Sequence, residues 1–167
     1  MTQLHAQPYD ISAAGFYFET EDEYEEKVKA LRNDYGDPVE EFEIQFIDGE
    51  SIDCDLAKAI GLNQANIKQY FEIIDEWEDW EKQLVILAVG ECGYQFSDET
   101  SPSDFDIDIY DVGSMRELAE QFVEEGLYGD IPANLQFYID YEAIARDLAV
   151  EYSETVVAGS SIIYRCG

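Results

Sequence analysis

Alternating apolar and polar residues predict strands near both ends of the chain. Residues 4–7 and 16–18 predict short strands, and residues 42–46 place apolar side chains at every second position between acidic or amide neighbours. Such alternation is typical of a strand with one buried and one wet face. Residues 104–109 repeat the pattern with aspartate as the polar member. Two apolar runs around Gly159, at residues 155–158 and 161–164, predict a closing hairpin.

Apolar residues three and four positions apart predict helices between these strands. Thr20 and Ser114 each precede a glutamate by three residues, which predicts a capping box and a helix after it. Gly126 is the expected end of the second of these helices. Residues 55–60 predict one or two helical turns that stop at Gly61, and Asn63 is the expected cap of the following helix.

The middle of the chain carries two helical faces separated by an acidic run. The first face consists of Ile67, Tyr70, Phe71, Ile74 and Trp77. The second face is expected to end near Gly90 and consists of Trp80, Leu84, Leu87 and Ala88. Residues 92–103, rich in serine and containing a proline, are typical of a loop.

Residues 131–148 predict a further helix with a break near Asp140, which is a suitable cap for a second segment. Its predicted broad apolar face consists of Leu135, Tyr138, Ile139, Ile144, Ala145 and Leu148. Together the elements predict an α+β protein in which two small α+β units, each an antiparallel sheet plus a helix, flank a mostly helical middle. The predicted domains are 1–61, 62–103 and 104–167, bounded by Gly61 and by the serine- and proline-containing loop.

Charge changes the picture more than any motif does. The 167 residues contain 39 Asp and Glu against nine Lys and Arg, which gives a net charge of −30, while 14% of the residues are aromatic. A disordered acidic chain has few aromatics, so we expect this charge on a folded surface. It repels nucleic acid and attracts cationic partners. Thirty charges match about 50 Å of duplex DNA, or about fifteen base pairs, and a dimer matches about thirty.

Two acidic segments are the predicted binding surfaces for a cationic partner. Five carboxylates crowd residues 75–81, where like charges on a helix repel one another, and the strand near residue 106 presents a second acidic face. The alternative is an ordinary solvated face. The carboxylates with this predicted role are Glu72, Asp75, Glu76, Glu78, Asp79, Glu81, Asp104, Asp106, Asp108 and Asp111.

Catalytic and metal-binding patterns are weak. The single histidine, His5, has no nucleophile motif beside it. A calcium loop starting at Asp104 needs glycine sixth and glutamate twelfth, but Ile109 and Met115 stand there. The three cysteines lack the paired C-x-x-C arrangement of a zinc site. We therefore expect no enzyme activity, cofactor or metal, and the absence of a signal-like or membrane-spanning stretch predicts a cytoplasmic protein.

Residues 134–148, NLQFYIDYEAIARDL, closely resemble the C-terminal signature of the ArdA antirestriction proteins. Residues 15–18 resemble the family's N-terminal glycine-aromatic strand, and residues 105–122 resemble its strand and helix before the signature. The resemblance implies a three-part, elongated and curved molecule that forms a homodimer through its C-terminal unit. The predicted signature and dimer residues are Asn134, Leu135, Tyr138, Ile139, Asp140, Tyr141, Arg146 and Asp147.

The resemblance also implies that the protein mimics DNA and inhibits type I restriction-modification enzymes by occupying their basic DNA groove. We interpret Leu135, Tyr138 and Ile139 as core or dimer contacts. Arg146 is expected to pair either with Glu142, four residues earlier, or with an acid on the partner subunit, and the local pair is preferred. Direct binding to nucleic acid or membrane is not expected. Two alternatives remain open from the sequence: an acidic interaction module for another basic DNA-binding protein, and an acidic protein adapted to high salt.

Overall fold

The computed structural model describes residues 1–167 and confirms the α+β class, with two three-stranded antiparallel sheets. The chain divides into two compact units, residues 1–104 and 105–167. The predicted separation of residues 1–61 from a helical middle domain stays a prediction. No helix combines the length and apolar character needed to cross a membrane.

The first sheet contains the three strands expected in the N-terminal region. They are β1 (Gln3–Pro8), β2 (Phe16–Phe18) and β3 (Phe42–Asp48), in the order β2-β1-β3. Alternate residues on one face are buried, among them Leu4, Phe18 and Phe42. The alternation therefore predicted both the strands and the buried face.

Helix α1 (Glu21–Ala30) begins where the capping motif predicted. The Thr20 hydroxyl accepts the Glu23 N–H at 3.1 Å. The reciprocal half of the box differs from the prediction, because the Glu23 carboxylate accepts the N–H of Glu19, one residue before the cap. Glu23 also pairs with Lys27 at 2.7 Å, and this contact lowers the pKa of its carboxyl.

Helix α2 (Ser51–Ile60) is a full ten residues and starts earlier than expected, while Gly61 ends it in the left-handed conformation as predicted. Helix α3 (Ile67–Glu76) is capped at Asn66, so the expected cap at Asn63 is wrong. The Asn63 side chain instead accepts the N–H of Ala65 in a tight turn before the helix.

Helix α4 (Asp79–Gly90) ends at the predicted glycine, and Leu87 and Ala88 of the predicted face are buried. Trp80 lies in its first turn and is 62% exposed, so its expected place on the apolar face is wrong. The buried side of α4 instead begins with Lys82 and continues through Val85 and residues 86–88. A short 3₁₀ turn, Pro102–Asp104, closes this unit.

The second sheet has the order β4-β6-β5. Its first strand, β4 (Ile107–Tyr110), starts later than predicted, so Asp104 and Asp106 do not lie on a strand. Asp104 belongs to the 3₁₀ turn, where its carboxylate accepts the N–H of Ser101. This local side-chain bond competes with extension of the strand.

Helix α5 (Met115–Glu124) packs on the second sheet and begins at the predicted cap. The Ser114 hydroxyl accepts the Glu117 N–H, and Gly126 has the left-handed conformation expected after a helix. The Glu117 carboxylate accepts the N–H of Gly113 rather than that of the cap. The buried core of this unit consists of Leu118, Phe122, Tyr152 and Ile163.

The signature region breaks at the predicted position. Helix α6 (Tyr141–Leu148) starts after Asp140, whose carboxylate accepts the N–H of Ala143 at 3.0 Å. The preceding Ala133–Tyr138 segment is a 3₁₀ helix, so the expected continuous apolar face is wrong. The predicted hairpin is confirmed as β5 (Ser153–Val157) and β6 (Ser160–Cys166), which join through Ala158 and Gly159, both with positive φ.

Candidate functional site

The acidic run at residues 75–81 forms the junction between α3 and α4. Trp77 (φ −83°, ψ 138°) and Glu78 (φ −76°, ψ 163°) are both extended, so α3 ends and α4 begins within two residues. Glu78 and Glu81 form a reciprocal capping box, in which the Glu81 carboxylate accepts the Glu78 N–H at 2.8 Å. These two predicted phosphate mimics therefore also begin a helix.

The other carboxylates of this junction face solvent without a partner. Glu72, Asp75, Glu76 and Asp79 are exposed and form no hydrogen bond or ion pair. The three on α3 share one side of the helix at spacings of three and four, or about 4.5 and 6 Å along its axis. We call these four residues the acidic tetrad. It presents closely spaced charge whose oxygens remain free to meet cations.

A buried ion pair supports the helices that carry the tetrad. Lys82 Nζ on α4 lies 2.7 Å from Asp53 Oδ1 on α2, and both side chains are less than 10% exposed. The Tyr70 hydroxyl on α3 donates to the Asp53 carbonyl oxygen at 2.7 Å, and burial raises the pKa of that phenol strongly. One short cluster of polar contacts thus joins all three helices, and the sequence pattern did not reveal it.

The predicted acidic residues of the second unit and its boundary differ in their surroundings. Asp106 and Asp111 are exposed and unpaired, whereas Asp104 is held in its turn. Asp108 accepts the Arg165 guanidinium, with Nε at 3.0 Å, and this contact raises the pKa of Arg165. An ion-paired carboxylate is a weaker candidate for phosphate mimicry than a free one, because its charge is already neutralised.

Some signature residues form contacts within the chain, and others are exposed with few contacts. Asp140 caps α6, and the Tyr141 ring lies 5.8 Å from the Arg116 guanidinium. Arg116 also binds Glu142 at 2.6 Å, and this hydrogen bond raises the pKa of Arg116. The expected pair between Arg146 and Glu142 is therefore wrong, because Arg116 takes that carboxylate.

Several signature side chains contact little within one chain. Tyr138 is 83% exposed and Leu135 is 49% exposed, while Ile139 is half-buried. Asn134, Arg146 and Asp147 are also exposed. Leu135 and Tyr138 are therefore not core residues of the single chain, and their role as dimer contacts stays a prediction.

The lone histidine has a structural environment on the outer face of the first sheet. His5 Nδ1 lies 3.2 Å from the Gln45 side-chain oxygen, and its ring packs against Tyr17 with centroids 4.6 Å apart. Gly15 lies so close to the ring that an added Cβ would stand 2.7 Å from it. These contacts account for the position of His5 without a reacting group.

The acidic surface of the protein can bind a partner by electrostatic attraction. Nine cationic side chains cannot neutralise 39 carboxylates. One of the nine, Lys82, is buried in an ion pair and adds no positive charge to the surface. The remaining field is strongly negative and favours association with a basic surface.

Comparison with known proteins agrees with this character. A search of curated proteins finds no match. A family model described as antirestriction protein (ArdA) matches residues 4–161, which is most of the 167-residue chain and includes both compact units. The chain belongs to the ArdA family of antirestriction proteins.

Proposed function

We propose that this protein is a non-enzymatic DNA mimic that occupies the basic DNA groove of a type I restriction-modification enzyme. The observation that carries the proposal is the acidic tetrad, four exposed carboxylates without internal partners at the junction of α3 and α4. Family membership supplies the antirestriction activity, and the tetrad supplies a physical means of competing with DNA.

Free carboxylates suit this role because the groove of a DNA-binding enzyme presents Lys and Arg side chains to phosphates. The spacing along α3, about 4.5 and 6 Å, is of the same order as the 3.4 Å rise between successive phosphates of one strand. Many modest contacts of this kind add up to a large attraction. Such attraction accelerates association and weakens as salt screens it.

Occupancy of the groove blocks two reactions together. Restriction and modification by a type I enzyme both require the same bound duplex, so a protein that excludes DNA prevents both. The mechanism needs no covalent step, cofactor or metal ion. Asp106, Asp111, Glu78 and Glu81 extend the proposed phosphate-mimicking set, while the pairing of Asp108 with Arg165 gives that residue a smaller part.

We propose further that the protein acts in the cytoplasm as a homodimer formed through the signature region. The signature region contains exposed Leu135 and Tyr138, and also a cation, Arg146, that has no acidic partner in its own chain. A second copy offers both an apolar surface and many carboxylates. Dimerisation doubles the length of duplex that the negative surface can match.

The tetrad is tested by changing its charge without changing its shape. The neutral variant carries Glu72→Gln, Asp75→Asn, Glu76→Gln and Asp79→Asn, and each single change is made separately. The matched control keeps all four charges through Glu72→Asp, Asp75→Glu, Glu76→Asp and Asp79→Glu. Inhibition of a type I enzyme is measured at 50 and 200 mM salt.

We expect the neutral variant to inhibit less strongly and with a shallower salt dependence than the charge-preserving control. Each single change should reduce inhibition only slightly, because the contacts are distributed. If the neutral variant matched the wild type in potency and in salt dependence, the tetrad would not contribute to inhibition. Loss of all inhibition by one amide substitution would contradict distributed mimicry.

The dimer is tested with Arg146→Glu, which reverses the charge of the unpaired signature cation. We expect a shift from dimer to monomer in sedimentation equilibrium, and Arg32→Glu is the control because Arg32 lies on the other compact unit. A wild-type protein that remains monomeric at the concentrations at which it inhibits would refute the proposed assembly.

A further inference from the structure

Two loops of the first compact unit are fastened together by side-chain hydrogen bonds. The Asn33 amide donates to Asp10 Oδ2 at 2.9 Å, and the Asp34 N–H donates to the Ser12 hydroxyl at 3.3 Å. Asp10 Oδ1 also accepts the Ser12 N–H and hydroxyl, both at 2.9 Å. We call residues 9–12 and 33–37 the loop pair.

Backbone contacts make each of these loops a closed turn. The Asn33 N–H donates to the Asp37 carbonyl at 3.0 Å, and its side-chain oxygen accepts the N–H groups of Tyr35 and Asp37. The Tyr9 N–H donates to the carbonyl of Glu41, which precedes β3. The first loop therefore adjoins the end of the β1–β3 pair, and hydrogen bonds hold the second loop to the first.

Three large apolar side chains project from this fixed frame. Ile11 is fully exposed, Tyr35 is 84% exposed and Tyr9 is 64% exposed. Single exposed apolar residues are ordinary, but here three stand on two loops that hydrogen bonds hold together, and we call these three residues the patch. Tyrosine is also enriched among the residues that dominate protein–protein binding energy.

The fixed conformation of the loop pair favours binding. The Asn33 amide and the Ser12 N–H and hydroxyl together lower the pKa of the Asp10 carboxyl, because these hydrogen bonds stabilise its ionised form. A partner that binds these loops does not pay to order them, because their conformation is already fixed. An ordered exposed patch is thus better suited to docking than a mobile one.

The charge at the border of the patch identifies the chemistry of its partner. Asp34 and Asp37 are exposed and their carboxylates are unpaired, whereas the Arg32 guanidinium donates to the carbonyls of Lys29 and Leu31. The first unit as a whole carries 26 acidic and six basic residues. A second copy of this chain would meet like charge here, while a basic protein surface would be attracted.

We propose that Tyr9, Ile11 and Tyr35 form an apolar anchor that docks on the same basic restriction-modification enzyme whose DNA groove the carboxylates occupy. The inference rests on the proposed function and adds a contact that DNA itself does not make. Carboxylates guide the two proteins together, and the anchor slows their separation. Because apolar contact is little affected by moderate salt, it also preserves binding where phosphate-like contacts alone would be screened.

The test compares an anchor variant, Tyr9→Ser with Ile11→Ser and Tyr35→Ser, with an apolar control elsewhere on the same sheet. Ile47→Ser suits the control because Ile47 is 44% exposed near the opposite end of β3. Tyr9 adjoins the end where Pro8 pairs with Phe42, while Ile47 adjoins the end where Gln3 pairs with Asp48. Circular dichroism and urea unfolding verify that each variant is folded, and Ile11→Ser alone serves if the triple variant is not.

Binding is measured by displacement of a labelled duplex from a type I methyltransferase at 50 and 200 mM salt. We expect the anchor variant to bind about tenfold or more weakly at both concentrations, mainly through faster dissociation, with an unchanged salt dependence. The single Ile11→Ser variant should show a smaller loss of the same kind. The Ile47→Ser control should behave as the wild type does.

Other outcomes overturn the inference in distinguishable ways. Equal displacement by the anchor variant and the wild type shows that the patch does not contact the enzyme. Loss of dimerisation in the anchor variant without loss of displacement assigns the patch to a second copy. If the wild type itself displaces no duplex, the proposed function fails, and the anchor fails with it.

Discussion

Removing the buried cation Lys82 should destabilise the first compact unit far more than removing any surface cation. Lys82→Met keeps most of the aliphatic chain but leaves the Asp53 carboxylate, 8% exposed, without its partner at 2.7 Å. Breaking one side of a buried ion pair costs about 3–5 kcal/mol. With a urea m-value of about 2 kcal/mol/M, the unfolding midpoint should fall by about 2 M.

Two further variants separate the charge effect from simple loss of packing. Lys58→Met removes an exposed cation of α2 and should change the free energy of unfolding by less than about 0.5 kcal/mol. Asp53→Asn added to Lys82→Met removes the isolated charge and should recover part of the lost stability. The assay is urea unfolding followed by tryptophan fluorescence, since Trp77 and Trp80 both lie at the junction of α3 and α4. A loss below about 1 kcal/mol for Lys82→Met would refute the idea that this ion pair joins the helices.

The remaining predictions concern local geometry and charge. Ala158 has φ +51° in the turn between β5 and β6, so Ala158→Gly should raise the free energy of unfolding by about 1 kcal/mol. A lower midpoint temperature in thermal unfolding would contradict this. Ser114→Ala removes the cap of α5 and should lower the free energy of unfolding by about 1 kcal/mol in the same measurement. An unchanged midpoint would show that the cap does not stabilise the protein. Raising salt from 50 to 500 mM should raise the urea midpoint of the wild type, because the net charge of −30 repels itself; a lower midpoint would show that attractive surface pairs dominate.

The elements that the sequence predicted best are those specified by local rules. Alternation around Phe42 placed β3, and Thr20, Ser114 and Asp140 placed the starts of three helices. Gly61 and Gly126 likewise ended α2 and α5, where left-handed backbone favours glycine. Each of these signals depends on residues within one turn of the chain.

The misplaced elements depend on contacts between distant residues. The start of α2 was missed because Asp53 interrupts its apolar pattern, although burial with Lys82 from α4 makes that position part of the core. Trp80 was expected on the apolar face because it stands at helical spacing from Leu84 and Leu87, yet it lies in the exposed first turn of α4. Apolar periodicity does not reveal a charged residue that is buried with its partner.

The candidate site was predicted in outline rather than in detail. The acidic run at residues 75–81 was evident from composition, but the capping role of Glu78 and Glu81 required the break between α3 and α4. The pairing of Arg116 with Glu142 similarly required the approach of α5 to α6, which the local spacing of Arg146 and Glu142 had obscured. The contact between the two loops gave no sequence signal, because the hydrogen bonds that connect them join residues more than 20 positions apart.

Competition with DNA tests the proposed mimicry most directly. The purified wild-type protein is titrated into a type I methyltransferase carrying a labelled duplex, and displacement is followed by fluorescence anisotropy at 50 and 200 mM salt. Mimicry predicts stoichiometric displacement at low salt that becomes weaker at high salt. A folded protein that leaves the duplex bound at micromolar concentration under both conditions would contradict it.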